Sequence, residues 1–265
     1  MVYKFVPAQT TLVPILISVP HCGTAFPDEL KEQYKATLIQ SPDDTDWFVD
    51  RLYDFAPAMG IQMMTAHYSR WVIDLNRDPH NKPLYTDGRI ITGLCPCTTF
   101  LGEPLYNDKR VEVDPEEVDR RVKAYYQPYH IEIEETLGLL EKQFGKVLLW
   151  DCHSIRQQLP TIQKEKFPDL ILGDVDGTSS SPGLIEAALG VLDHGDYRVT
   201  HNHPFKGGYI TRHFGKPARN RHTLQLEMSK INYMDDTETR YDENRATTMR
   251  KVLQKVFEKL IEQLS

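Results

Sequence analysis

Apolar residues along this chain fall into two periods. Short runs with few polar interruptions, at 13–19 (VPILISV), 62–66, 71–75, 146–150 (KVLLW), 170–172 and 223–226, have the length and composition of buried strands. Between them lie stretches with helical spacing. One covers 46–58. A second, 115–144, carries Val118, Val122, Tyr125, Tyr129, Ile133, Leu137 and Leu140 at close to a 3.6-residue repeat. A shorter one, 182–194, meets Gly195, a residue suited to ending a helix. At the C-terminus Met249, Val252, Val256, Leu260 and Leu264 form one stripe, with Leu253, Phe257 and Ile261 beside it. Strands alternating with helices predict an α/β fold with a mixed or largely parallel sheet.

The polar residues that follow the apolar runs carry the candidate chemistry. Pro20 and His21 follow the first run. Asn76 and Arg77 follow the third. Asp151, Cys152 and His153 follow KVLLW, and Glu227 follows the last. Ligands of open α/β sheets bind beyond the carboxyl ends of the strands, so these groups are expected at one edge. Two histidines and a carboxylate, with one position left for water, make a catalytic zinc site. The candidates are His21, His153 and an aspartate of the Asp43–Asp46 cluster, with Glu227 as the base that takes a proton from water. Asp151 is placed to orient His153 from behind.

Each of these residues also has a plain structural role. Asp43, Asp44 and Asp46 suit helix capping, and Arg70 and Arg77 suit ion pairs. Thr24 stands three residues after His21, so neither HxxE nor HExxH is present. Gly207-Gly208 allows an unusual turn in a polar segment whose Lys206 and Arg212 suit a substrate carboxylate. His201 and His203 are further candidate ligands. The loop 174–182 (DVDGTSSSP) is a candidate lid.

Composition narrows the function classes. The 265 residues are 40% hydrophobic and 26% charged, enough for one catalytic α/β domain over 1–265. The net charge of −7 argues against a nucleic-acid partner, while a few arginines can still make a pocket for a small anion. No apolar run is long enough for a membrane span, and the N-terminus lacks the basic start of a secretion signal. Cys22, Cys95, Cys97 and Cys152 are sparse, as expected of reduced thiols in a cytoplasmic protein. Cys95-Pro-Cys97 lacks the usual spacing of a metal or redox pair.

The motifs together resemble the N-formylglutamate amidohydrolases (deformylases). They are VPHCG at 19–23, DTDWFVDRLYDFA at 44–56, YSRWVIDLNRDPHNKPLY at 68–85, TGLCPCTTFLGEPLY at 92–106, LLWDCHSIR at 148–156, FKGGYITRHFGKP at 205–217 and QLEMS at 225–229. The family's site logic is similar to that of zinc carboxypeptidases and aspartoacylases. The resemblance implies a three-layer α/β/α domain with a mixed, mostly parallel central sheet. It implies zinc, or another divalent metal, on His21, His153 and Asp46, with Asp44 the rival for the carboxylate. It implies Glu227 as general base and Asn76, Arg77, Arg70 and Arg212 as substrate anchors. The implied reaction is hydrolysis of N-formyl-L-glutamate to formate and L-glutamate, late in histidine degradation. A related zinc amidase on another N-acyl amino acid, or a non-catalytic small-molecule-binding homologue, remains open on the sequence, as does the oligomeric state.

Overall fold

The computed structural model describes residues 1–84 and 92–265, so Tyr85 at the end of the 68–85 motif lies outside them. Among the described residues seven strands form one mixed sheet. They are β1 (Tyr3–Val6), β2 (Ile15–Val19), β3 (Gln62–Ala66), β4 (Val147–Ile155), β5 (Leu170–Gly173), β6 (Val199–His201) and β7 (Arg221–Ser229). Their spatial order is β1-β3-β2-β4-β7-β5-β6. The central strands β3, β2, β4 and β7 are parallel. β1 runs antiparallel to β3 and β5 antiparallel to β7, with β6 parallel to β5. The α/β class and the mixed sheet therefore stand as expected.

Three one-turn helices come early: α1 (Asp28–Lys31), α2 (Ala36–Ile39) and α3 (Val49–Leu52). α4 (Pro115–Arg121) continues through a π-helical turn (Val122–Tyr126) into α5 (Gln127–Phe144). Asp114 caps this long helix by accepting the Glu116 amide, Pro115 fills the first position, and Gly145 leaves it in the left-handed region. α6 (Pro182–Leu192), α7 (Tyr209–Phe214) and α8 (Glu243–Leu264) complete the set. Asp242 caps α8 through the amides of Asn244 and Arg245.

Helices cover both faces of the sheet. On one face Ile15, Ile17, Val19, Leu148, Trp150, Leu224 and Leu226 pack against α3, α6 and α8. On the other, Leu16, Met64, Val147 and Leu149 pack against α5 and α7, with Trp71 and its neighbours. Period-two alternation along β4 divides its residues between these two cores.

Three expectations change. The run 71–75 is not a strand. It is buried, but its backbone is captured locally: the Ser69 hydroxyl accepts the Trp71 amide, and Asp74 Oδ1 accepts the Asn76 amide at 2.9 Å. The expected helix at 46–58 is reduced to α3 and a 3₁₀ turn, Ala56–Met59. Phe48 is left-handed (φ 62°), and Pro57 has no amide to continue a helix. Strands β1 and β6, too short to stand out in the sequence, are present at the two sheet edges.

Candidate active site

β4 changes character as it approaches the carboxyl edge. Val147 and Leu149 on one face belong to the α5 core, and the next two residues on that face are Asp151 and His153. Its parallel neighbour β7 sets Gln225 opposite Asp151 and Glu227 opposite His153. His153 and Glu227 thus lie inside long strands rather than beyond short ones. His21 stands two residues past the end of β2, and its carbonyl accepts the amide of Asp46. One hydrogen bond therefore ties the Asp43–Asp46 segment to the edge where the histidines emerge.

The side chains converge tightly. Asp46 Oδ2 lies 3.2 Å from His153 Nδ1 and 3.6 Å from His21 Nδ1. One ligand atom from each of His21, Asp46 and His153 falls within 4.8 Å of the others, and all three residues are buried. The far nitrogens of both rings face carboxylates: His21 Nε2 meets Asp74 at 2.8 Å and His153 Nε2 meets Asp151 at 3.0 Å. An ionised carboxylate only accepts, so His21 donates Nε2–H to Asp74 and leaves Nδ1 on offer, while both ring nitrogens of His153 face aspartates and its Nδ1 must give up a proton to ligate. His21 Nδ1 is buried without a hydrogen-bond partner. Two imidazole nitrogens and one carboxylate, each ring held from behind by an aspartate, form a group that could hold a metal ion.

Electrostatics follow from the crowding of acids and bases. Burial pushes the Asp46 carboxyl up, but hydrogen bonds and charge from His153 and His21 outweigh it and hold it below the usual carboxylate range. Burial opposes the Asp74 charge as well, and Arg70, Arg77 and His21 hold this carboxyl well below that range. Burial would lower His153, yet Asp151 and Asp46 raise it well above an ordinary histidine. Glu227 has no such net support, and desolvation lifts it to about 8. Two carboxylates flanking one site are thus driven in opposite directions.

Asp74 joins two functions. Its Oδ1 orients His21, while its Oδ2 receives Arg70 at 2.6 Å and lies 3.8 Å from Arg77. Arg70 sits over the Phe100 ring, 4.7 Å from its centroid. Asn76 contacts both His153 Nε2 (2.9 Å) and Asp151 (3.4 Å), and its oxygen accepts the Ile210 amide at the start of α7. Gly208 must lack a side chain, because a Cβ there would stand 2.2 Å from the Asn76 amide nitrogen. A cleft opens over these groups. His21, Asp46, His153 and Glu227 line it with Arg70, Asn76, Arg77 and Gln225, and Phe100, Ile155, Ile162 and Phe205 add an apolar wall.

The family model for N-formylglutamate amidohydrolase matches residues 13–234, a span holding every one of these groups. The chain belongs to the N-formylglutamate amidohydrolase family. Relatives include the N-formylglutamate deformylase of Pseudomonas putida, 41% identical over 94% of this chain and 92% of its own length. That of Pseudomonas aeruginosa is 40% identical over 94% and 93%. Among solved structures, an N-formylglutamate amidohydrolase from Ralstonia eutropha superposes with a TM-score of 0.82 at 26% identity, covering 99% of this chain and 98% of that one. A gene product of Agrobacterium tumefaciens at 16% identity shares the fold, with a TM-score of 0.74 over 98% and 96%.

Within this family member, most of the residues singled out in the sequence come together, and some do not. Asp44 is turned away, accepting the Trp71 indole at 2.8 Å and the Phe100 amide. Arg212 is exposed on α7, bonds the Gly207 carbonyl and does not line the cleft. Lys206 pairs with Asp176. His201 meets Asp174 at 2.9 Å, and neither His201 nor His203 joins the metal-ligand group. The loop 174–182 is tied down through Ser179, whose hydroxyl donates to the Thr223 carbonyl. All four cysteines are free, and Cys152 lies on the core side of β4, opposite His153. Sequence reasoning missed Asp74 and Gln225. Asp74 sits inside an apolar run, WVIDL, and a charged residue in a buried run is the signal that marks it.

Proposed function

We propose that this protein hydrolyses N-formyl-L-glutamate to formate and L-glutamate, with a zinc ion held by His21, Asp46 and His153 and with Glu227 as general base. One observation carries the reading: both histidine rings present Nδ1 toward Asp46, beside Glu227, in a cleft that also contains Arg70 and Arg77. The names of the Pseudomonas relatives supply the substrate. When bound, zinc supplies Lewis acidity toward a carbonyl oxygen and makes water ionisable near neutral pH.

The chain's own groups do the rest. Asp74 and Asp151 hold the Nε2 side of each imidazole, which turns each Nδ1 toward Asp46 and the ligand position. Arg70 and Arg77 receive the substrate carboxylates, with Asp74 fixing the direction of Arg70. Glu227 takes a proton from the water as its oxygen bonds to the formyl carbon. It returns that proton to the amide nitrogen as the C–N bond breaks. Water is consumed, its second proton passes from the nascent formic acid to the amine, and the products leave as formate and ammonium-bearing glutamate. Desolvation of Glu227 favours this exchange, since its pKa moves toward the operating range of a base near neutral pH. The chemistry belongs to a late step of histidine degradation, where a formylated glutamate is the intermediate.

The test is L-glutamate release from N-formyl-, N-acetyl- and N-succinyl-L-glutamate by metal-replete enzyme. The reading expects the formyl compound to lead in kcat/KM. A preference for a larger acyl group would move the protein to another N-acyl amino acid.

A further inference from the structure

The irregular segment at 69–77 carries Arg70, Asp74, Asn76 and Arg77, yet it belongs to neither helix nor sheet. Its buried carbonyls need partners all the same. Side chains supply them. The Tyr34 hydroxyl donates to the Trp71 carbonyl at 3.0 Å, Arg121 to Val72 at 3.0 Å, His130 Nε2 to Leu75 at 2.8 Å and the Tyr126 hydroxyl to Arg77 at 2.8 Å. Arg121 also donates to the Tyr34 hydroxyl, which links the first two of these bonds.

Three of the four donors sit on the long helix at positions 121, 126 and 130. Regular α-helix would put residues 121 and 126 about 140° apart around the axis. The π turn cuts that offset to about 40°. Gln127 bonds back five residues to Val122, taking one extra residue into the turn, so Tyr126 falls where a residue four after Arg121 otherwise would. His130 comes one α-turn later, its ring stacked on Tyr126 at 4.0 Å and 11°. The result is one column of donors matched to one run of carbonyls.

We propose that the π turn Val122–Tyr126 is a positioning device for the substrate-gripping segment, and that the Tyr126 hydroxyl, acting through the Arg77 carbonyl, sets how tightly substrate is held. Tyr126 is a positioning residue. It bonds the backbone from which Arg77 reaches into the cleft. The inference rests on the formylglutamate reading for its substrate.

The experiment compares Tyr126→Phe with wild type in two measurements. The first is hydrogen exchange over residues 69–77, which needs no substrate. The second is steady-state hydrolysis of N-formyl-L-glutamate. The substitution keeps the ring and removes one hydrogen bond, so exchange should quicken and KM should rise about five- to tenfold with kcat within about twofold. Tyr125→Phe, whose hydroxyl bonds Glu29 away from the segment, should leave both measurements as in wild type. An unchanged KM in Tyr126→Phe, or an equal rise in Tyr125→Phe, overturns the proposal. If wild type releases no formate, the substrate reading fails by itself. The clamp is then judged by exchange, where unchanged rates overturn it and faster rates support it.

Discussion

Four carboxylates surround two imidazoles here, and the neighbours of each assign its work. Asp46 sits between the two rings, Asp74 and Asp151 stand behind them, and Glu227 has no net support for its charge. In the proposed mechanism the first is ligand, the next two orient, and the last moves the proton. Glu227→Gln keeps the shape and loses the base, so zinc content should stay at the wild-type level while kcat falls about 10²–10⁴-fold. Near-normal kcat in that variant removes Glu227 from the mechanism. A second expectation concerns the metal. Without a cation, Asp151 and Asp46 hold His153 protonated well above an ordinary histidine. Zinc must displace the Nδ1 proton, so its affinity should weaken as pH falls and strengthen as pH rises. Calorimetric titration across pH measures this, and a flat profile would contradict it. At this scale the sequence showed the histidines and Glu227 but left Asp46 and Asp44 as rivals. The choice depends on Trp71 and the Phe100 amide occupying Asp44, contacts 27 and 56 residues away along the chain.

Among the elements, β4 was legible only in part. Its apolar half, KVLLW, reads plainly as a strand, whereas DCHSI reads as a polar turn beyond the strand's end. The strand continues because β7 pairs with it through Ile155, and partners distant in sequence override local polarity. The opposite error came at 71–75, where burial without sheet pairing mimicked a strand. That segment is held by α4, the π turn and α5, which were legible as one long helix but not as a helix with an inserted residue. His130 gives the element a pH dependence. Burial between the helix and this segment pushes its pKa down to about 3, against about 6.5 in an unfolded chain. Between those values the unfolded chain binds a proton that the folded one does not. Stability from neutral His130 is therefore intact above about pH 6.5 and is lost as pH falls toward 3. His130→Gln retains a donor for the Leu75 carbonyl without the titration. Its denaturation midpoint should fall less between pH 7.5 and pH 5 than that of wild type, and an equal fall would refute the assignment.

The whole molecule carries a net charge of −7, yet its cleft holds Arg70 and Arg77 beside the candidate metal-ligand group. Local convergence, rather than overall charge, decides what such a site attracts. Among the described residues no helix is long and apolar enough to cross a membrane. The architecture explains why the site is where it is. Apolar residues fill both faces of the central strands, and the polar face of β4 and β7 begins only where the helices of the second core stop covering it. His21 and the segment 69–77 close around that polar stretch of sheet and bury it. The central claim is that one metal ion on His21, Asp46 and His153 supports hydrolysis of N-formyl-L-glutamate. It is tested most directly by titrating metal-free protein with zinc while measuring formate release. The account predicts activity that is absent at the start and rises linearly to a plateau at one zinc per chain. Full activity in metal-free protein, or no formate release at any zinc level, would contradict it.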